Sequence, residues 1–506
     1  MATRNLARLA EEAFERRGDY PALLFEGRWH GSAELFSRAC RIASGLSALG
    51  VKPGERVVVS MVNCPEVSIV YQAIWRAGAV VAPATFLLSV DDLRHVIGDS
   101  QASVVITTAD LGEKVREAVA GLDHVRHVIA GGSEDFGALE ETEPAAIVPR
   151  GDDDVAALLY TGGTTGQAKG VMLSHANLSF TGRAVQEASH VPGVSRSLVT
   201  LPLSHSYGML VTISGMHSPE RPVTVLLRWF DPRFFLEMIQ EHRLQSSAVV
   251  PSMIHLLLAQ PLEEFDLSSL QYLGCGAAPL APRAAEEIER RIPSATVRQG
   301  YGLTETAALI ATNPAGREKP GSVGIPIPGA VVRIMDDEDR ELAPGEAGEV
   351  CVRSPAVMRG YWRAGGRDPE LTAEAIRDGW LHTGDIGYLD EEGYLFIVDR
   401  KKDLIIRGGF NVYPRDVEDA LLEHPAVVAA GVVGRPDDRY GEEVVAFVAL
   451  REAGAVDAEE LVEWARRRIG GYKYPREVHV VDAIPLTAVG KLDRKALRAL
   501  VRMPAR

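Results

Sequence analysis

Between residues 155 and 299, five short apolar runs (156–160, 199–201, 223–227, 248–250 and 296–298) alternate with helix-length segments such as 231–242 and 282–291. Continuous apolar runs suit strands buried on both faces. Helical crossovers between such strands predict a mostly parallel sheet covered by helices. The preceding stretch repeats the pattern, with strands expected at 56–61 and 104–107 and helices at 65–77 and 91–97, so a second α/β layer is expected. From 321 to 361 the texture changes. The runs 331–335 and 349–353 read as strands separated by Gly and Pro, which indicates a small β-rich subdomain. A strand at 394–398 leads into Asp399-Arg400-Lys401-Lys402-Asp403. Beyond it, helices at 414–423 and 458–469 and strands at 427–433 and 444–450 predict a compact α+β domain of about 100 residues.

The chain has 506 residues, 46% hydrophobic and 24% charged, which is globular composition with length for about three domains. Its 54 basic and 69 acidic side chains give a net charge of -15. Such a surface repels polyanions and argues against nucleic-acid partners, so an anionic ligand must be met by local donors. Cys40, Cys64, Cys275 and Cys351 are dispersed, without zinc or redox-pair spacing, which fits a reducing cytoplasm. Residues 1–17 read as a surface amphipathic helix rather than an export signal. The longest apolar stretch, 77–88, contains Pro83 and is shorter than the roughly 20 residues a membrane span needs, so no integral membrane association is expected.

The strand ending at Tyr160 runs into Thr161-Gly162-Gly163-Thr164-Thr165-Gly166-Gln167-Ala168-Lys169-Gly170. Glycines let backbone N–H groups point into one concavity, threonines add donors and a lysine adds charge, a combination suited to a polyphosphate. An ordinary Gly/Thr-rich turn has the same composition. A Walker loop needs Gly directly before Lys and a hydroxyl directly after it, but here Ala168 and Gly170 flank Lys169. No G-x-G-x-x-G follows a strand, so a nicotinamide dehydrogenase lacks its first signal. A second segment, Arg298-Gln299-Gly300-Tyr301-Gly302-Leu303-Thr304-Glu305-Thr306, combines an aromatic face for a purine, a hydroxyl for a phosphoryl oxygen and a hard carboxylate for Mg2+. It also reads as a strand-to-helix turn. Taken alone, Thr383-Gly384-Asp385 is usually a turn and the charged run at 399–403 a solvated linker.

Taken in order, these segments resemble the adenylate-forming superfamily of acyl-CoA synthetases, luciferases and peptide-synthetase adenylation domains, from about residue 20 to 498. The glycine-rich loop is similar to that family's T-S-G-T-T-G-x-P-K-G, with Gly162 for Ser and Ala168 for Pro, as fatty-acyl-CoA ligases carry. The resemblance implies an α/β fold: a large N-terminal adenylation domain (1–399) of two stacked, mostly parallel sheets with flanking helices, and a β-barrel-like subdomain at about 321–399. It also implies a hinge at 400–403 and a mobile C-terminal α+β domain (404–506). ATP is then expected on Thr161, Gly162, Gly163, Thr164, Thr165, Gly166, Lys169, Gly276, Ala277, Ala278, Gln299, Gly300, Tyr301 and Gly302, with its ribose on Asp385 and Arg400. Thr304 would touch the α-phosphate and Glu305 would help hold Mg2+, the expected metal. Lys402 takes the hinge position, and Gly408 and Gly409 resemble the loop lining the pantetheine tunnel of coenzyme A. Pro485-Leu486-Thr487-Ala488-Val489-Gly490-Lys491 resembles P-[KR]-T-x-[ST]-G-K. Its lysine bridges carboxylate and α-phosphate in the family, so Lys491 is a catalytic candidate; Leu486 and Val489 depart from that pattern.

For the acid, the resemblance assigns Tyr207, Gly208, Val250, Ser252, Gly274 and Cys275 to the acyl pocket, with His205, a catalytic candidate alongside Thr304 and Glu305, as a gate or a structural neighbour. Amino-acid adenylation domains place an Asp where His205 and Ser206 stand, to counter the α-ammonium, so an acid without that amine is expected. The expected activity is an ATP-dependent carboxylic acid:CoA ligase acting on a fatty, aryl or polycyclic acid through an acyl adenylate, with release of pyrophosphate. The alternatives are an acyl-AMP ligase loading a carrier-protein phosphopantetheine, or a non-catalytic nucleotide-binding regulator. A homodimer is compatible with all three. No S-K-L signal ends the chain, which weakens a luciferase reading.

Overall fold

The structure is a computed structural model that describes residues 5–161, 168–452, 454–487 and 492–502. Two compact units emerge, Met1–Val332 with Val352–Leu381, and Arg333–Cys351 with His382–Arg506.

The first unit is α/β and holds two large sheets. In one, the strands Thr296–Tyr301, Tyr272–Cys275, Ser246–Val249, Arg196–Val199, Val223–Leu226 and Pro21–Phe25 lie side by side and all parallel. Antiparallel additions finish both edges, Arg28–Gly31 on one side and Ala311–Thr312 with Ile325–Pro326 on the other. The second sheet has a parallel part, Val155–Thr161, Val80–Pro83, Arg56–Ser60, Val104–Thr107 and His127–Ala130. It is extended antiparallel by Lys169–Ser174, Tyr361–Arg363 and Gly366–Asp368.

Helices belonging to the two sheets meet between them. Pro65–Arg76 buries Tyr71 and Trp75 completely. The Tyr71 hydroxyl donates to Leu203 O beside the first sheet, and Trp75 Nε1 donates to Ala156 O in the second. Asn63 adds a further tie, donating to Leu201 O and Leu227 O while accepting from Leu203 N. Burying these polar groups is tolerable because each has its partner. The N-terminal helix, Leu6–Arg17, is amphipathic as expected, and one face is buried through Leu6, Ala7, Ala10, Ala13 and Arg17. The Arg17 guanidinium donates to the carbonyls of Gly215 and Met216 and to that of Ser218, satisfying the end of the helix Ser206–His217.

In the second unit, Asp385 to Leu389, the end of the strand Trp380–Leu389, pair antiparallel with Leu395–Arg400. Beyond them, Val427–Asp437 and Gly441–Leu450 form a long hairpin joined by Glu477–Val480 in parallel and by Ile405–Arg407. The helices Pro414–Leu422 and Ala458–Arg468 cover a core that includes Val417, Leu421, Val432, Val444 and Leu461. This is the α+β pattern expected for the C-terminal part.

Candidate active site

The parallel sheet decides where the first unit keeps its chemistry. Crossover connections return each strand in the same direction, so the segments after the strands gather at the carboxyl edge, where open α/β sheets hold ligands. Four strands deliver candidate residues there in spatial order. Arg196–Val199 leads to His205, Tyr207 and Gly208, and Ser246–Val249 to Val250 and Ser252. Tyr272–Cys275 carries Gly274 and Cys275 and leads to Gly276, Ala277 and Ala278, while Thr296–Tyr301 carries Gln299, Gly300 and Tyr301.

This last strand departs from expectation, continuing to Tyr301 instead of ending at Arg298. Cys275 pairs with Gln299, and Gly300 and Tyr301 pair with Thr312 and Ala311, so backbone pairing carries it through a stretch without apolar patterning. The turn that follows is tightly folded. A Cβ on Gly302 would sit 2.3 Å from Ala308 O, and Ala307 and Ala308 both adopt positive φ, at 50° and 87°. Such angles strain a residue with a Cβ. Here they bend the chain so that the 3-10 turn Thr304–Thr306 presents Glu305, whose backbone carbonyl accepts from Met358 N at 2.8 Å. The Thr306 hydroxyl accepts from Leu303 N and donates to Leu303 O, closing that turn.

Lys169 opens the strand Lys169–Ser174, and its partner across the hairpin is Thr161. The neighbouring carbonyl of Ala168 lies 2.8 Å from His95 Nε2, and the Tyr160 hydroxyl donates to Asp99. The base of the glycine-rich loop is thereby fixed on the helix Val90–Ser100. Gly162, Gly163, Thr164, Thr165 and Gly166 lie outside the described residues.

One side chain that sequence reasoning missed connects these parts. Tyr361 lies in the strand Tyr361–Arg363, paired with Val171. Its hydroxyl donates to Glu305 Oε1 at 2.9 Å, and Lys169 Nζ lies 5.5 Å from its ring centroid, within cation–π range. Burial and the nearby Glu305 carboxylate raise the phenol pKa, so it stays protonated as a donor. Only a lone Gly360-Tyr361-Trp362 marks the position in the sequence.

Among the residues expected at the acyl pocket, the Tyr207 hydroxyl donates to Gly274 O at 3.0 Å, and desolvation raises its pKa. Its ring passes Gly276, where a Cβ would lie 3.5 Å from Tyr207 Cε1. Gly208 has no room for a side chain, since a Cβ would stand 2.2 Å from Pro202 O. His205 caps this helix: its Nδ1 accepts from Tyr207 N at 3.3 Å. Val250 precedes the helix Pro251–Leu258 without a side-chain capping bond, and that helix carries Ser252 in its first turn. Cys275 is buried, and desolvation pushes its thiol up to about 12, so it is no nucleophile at neutral pH.

The second unit brings others of the candidates together. Asp385 faces Arg400 across paired strands and forms an ion pair at 3.0 Å, with the carboxylate buried and the guanidinium half exposed. Lys402 lies in the following 3-10 turn, where burial lowers its pKa. Gly408 and Gly409 make the tip between Ile405–Arg407 and Phe410–Val412, both at positive φ that a side chain would strain. Lys491 lies outside the described residues.

Residues 10–362 match the family model described as AMP-binding enzyme, and residues 416–491 match that for the AMP-binding enzyme C-terminal domain. A feruloyl-CoA synthase from an Amycolatopsis species is 39% identical over 92% of this chain and 93% of its own length. A long-chain-fatty-acid–CoA ligase from Bacillus subtilis (strain 168) is 34% identical over 98% and 94%. Among solved structures, ATP-bound MatB from Rhodopseudomonas palustris superposes with a TM-score of 0.91 at 31% identity, covering 98% of this chain and 99% of that one. On these grounds the chain belongs to the AMP-binding enzymes, in the acyl-CoA synthetase branch of the adenylate-forming superfamily.

Proposed function

We propose that this acid:CoA ligase activates a hydrophobic carboxylic acid as its acyl adenylate, releases pyrophosphate, and passes the acyl group to the thiol of coenzyme A. The observation that carries this reading is the convergence of Lys169 and Glu305 on Tyr361, with Glu305 in the turn that follows the strand ending at Tyr301. Joining a carboxylate to ATP brings two anions together, so the barrier is largely electrostatic and aligned donors lower it.

In this reading Lys169 and the 161–166 loop hold the phosphates, Tyr301 and 276–278 flank the adenine, Asp385 and Arg400 take the ribose, and Thr304 donates to the α-phosphate. Lys491 bridges the carboxylate and the α-phosphate. Among the described residues no cluster of three His, Cys, Asp or Glu side chains could hold a metal by itself. Glu305 has one carboxylate oxygen engaged by Tyr361 and lone pairs to spare, a donor set that fits Mg2+ bound jointly by one carboxylate, phosphate oxygens and water. Such an ion would supply charge neutralisation on the phosphates. For the second half-reaction the proposal adds rotation of a C-terminal domain (404–506) about Lys402, which withdraws Lys491 and brings Gly408 and Gly409 to the thiol.

An aryl acid comes first among the substrates. This order rests on a feruloyl-CoA synthase being among the similar enzymes. Among the described residues no helix is long and apolar enough to cross a membrane, and the four buried free cysteines suit a reducing cytoplasm. The test is ATP/pyrophosphate exchange with ferulate, benzoate, octanoate and palmitate, followed by mass detection of the thioester once CoA is added. Exchange with an aryl acid and thioester formation are expected. Exchange without a CoA thioester would favour a carrier protein as acceptor, and ATP binding without exchange for any acid would favour a regulator.

A further inference from the structure

We propose that Tyr361 is a positioning residue for adenylation, one side chain that sets the phosphate-binding lysine and the metal-binding carboxylate at a fixed separation. The inference rests on the roles given above to Lys169 and Glu305. A lysine and a glutamate near the same phosphates tend to neutralise each other. Here the ring carries the ammonium on one side, Lys169 Nζ being 5.5 Å from its centroid, while the hydroxyl at the ring's end holds Glu305 Oε1 at 2.9 Å. The ammonium is left for phosphate, and the second carboxylate oxygen for a cation.

Tyr361 is itself well fixed. Its backbone N donates to Thr372 Oγ1 at 2.9 Å, and Thr372 donates to Asp368 O at 2.6 Å. Gly360, at φ 127°, lets the chain pass Thr372 where a Cβ would come within 2.8 Å of its hydroxyl. On the far side, Val171 pairs with Tyr361 and Met172 N donates to Gly360 O, so the strand bearing Lys169 and the one bearing Tyr361 are in register. Met358, three residues before Tyr361, donates its backbone N to Glu305 O. The backbone on both sides of the side-chain contact is therefore hydrogen-bonded in place, so the geometry does not depend on a bound nucleotide.

The test is equilibrium binding of ATP without acid, so that nothing turns over, measured with and without Mg2+ for the wild type, Tyr361→Phe, Tyr361→Leu and Glu305→Gln. Removing only the hydroxyl, Tyr361→Phe weakens Mg-ATP about ten-fold, the size of one hydrogen bond to a charged group, and leaves metal-free ATP within about two-fold. Tyr361→Leu also removes the seat of Lys169 and weakens metal-free ATP by a further factor of about three. If Tyr361→Phe shifts both forms equally, or neither, while Glu305→Gln shifts Mg-ATP alone, the positioning role falls and the reading of Glu305 stands. If Glu305→Gln leaves the Mg2+ dependence untouched, the reading of Glu305 falls and the proposal with it.

Discussion

Removing Arg494 should make the second unit lose stability as the pH rises. The helix Pro414–Leu422 turns Glu418 inward among Val417, Ala420 and Leu421, where its Oε1 accepts from Val432 N at 2.9 Å and from Arg494 Nη2 at 2.7 Å. Burial raises the carboxyl pKa to about 7, against the pull of Arg494 and with a smaller push from Asp399 and Asp419. A carboxyl whose folded pKa lies above its unfolded value stabilises fully below the unfolded pKa, and this contribution is lost as pH rises through the folded one. From 4.5 to about 7, at about 1.4 kcal/mol per unit, that amounts to about 3 kcal/mol between pH 4 and pH 8. Arg494→Met strips the attraction to the Arg494 guanidinium, drives the carboxyl higher and leaves a buried charge unpaired, a cost of about 3–5 kcal/mol once ionised. At pH 6 the carboxyl escapes by staying protonated, so the cost there is smaller. Hydrogen exchange followed by mass spectrometry over 414–450, corrected for intrinsic rates, reads this locally. Arg494→Met should lose far more protection at pH 8 than at pH 6, whereas the double variant Glu418→Leu/Arg494→Met stays close to wild type at both. An equal loss at the two pH values would refute the argument that an ionised, buried carboxylate causes it.

Lys491→Ala should slow adenylation about 100-fold or more while thioester formation from supplied acyl adenylate survives; equal loss of both half-reactions, measured separately, would refute its assigned role. Lys402→Pro fixes φ in the turn Lys401–Asp403 and should spare pyrophosphate exchange while abolishing CoA thioester formation. Full turnover with CoA in that variant counts against rotation about this residue.

Elements whose local chemistry and tertiary setting agree were legible in the sequence. Pro282–Arg291 begins on a proline at its first position and repeats Ala284 and Ile288 on its buried face, and its observed bounds match the expected ones. Val104–Thr107 is fully buried and equally well bounded by its apolar run. The antiparallel additions were harder to read. Lys169–Ser174 begins on a lysine and a glycine, and its strand character comes from pairing with Val155–Thr161 and Tyr361–Arg363. Gln299 to Tyr301 likewise become strand through partners on both sides, because Gly300 leaves room where a Cβ would meet Leu309 Cδ1 at 2.8 Å. Candidate residues that lie in contiguous motifs could be proposed from the sequence, whereas Tyr361 could not. Its meaning depends on Glu305, 56 positions away, and on a strand register that no local spacing encodes.

The distribution of these residues over the two sheets explains why such a contact is needed. Lys169 and Tyr361 belong to one sheet, whereas Glu305 follows the last parallel strand of the other. Parallel topology brings loops to one edge within a sheet, but it does nothing to align the edges of two different sheets. That alignment has to come from direct bonds, and at the Glu305 turn the described residues supply Tyr361 Oη to Glu305 Oε1 and Met358 N to Glu305 O. The backbone bond sets the height of the Glu305 turn, and the side-chain bond sets the direction of its carboxylate. In the proposed adenylation, Lys169 and Glu305 have to be held apart by a distance that the substrates do not choose, and a rigid aromatic ring joining the two sheets would meet that need better than a flexible ion pair, which would collapse onto itself.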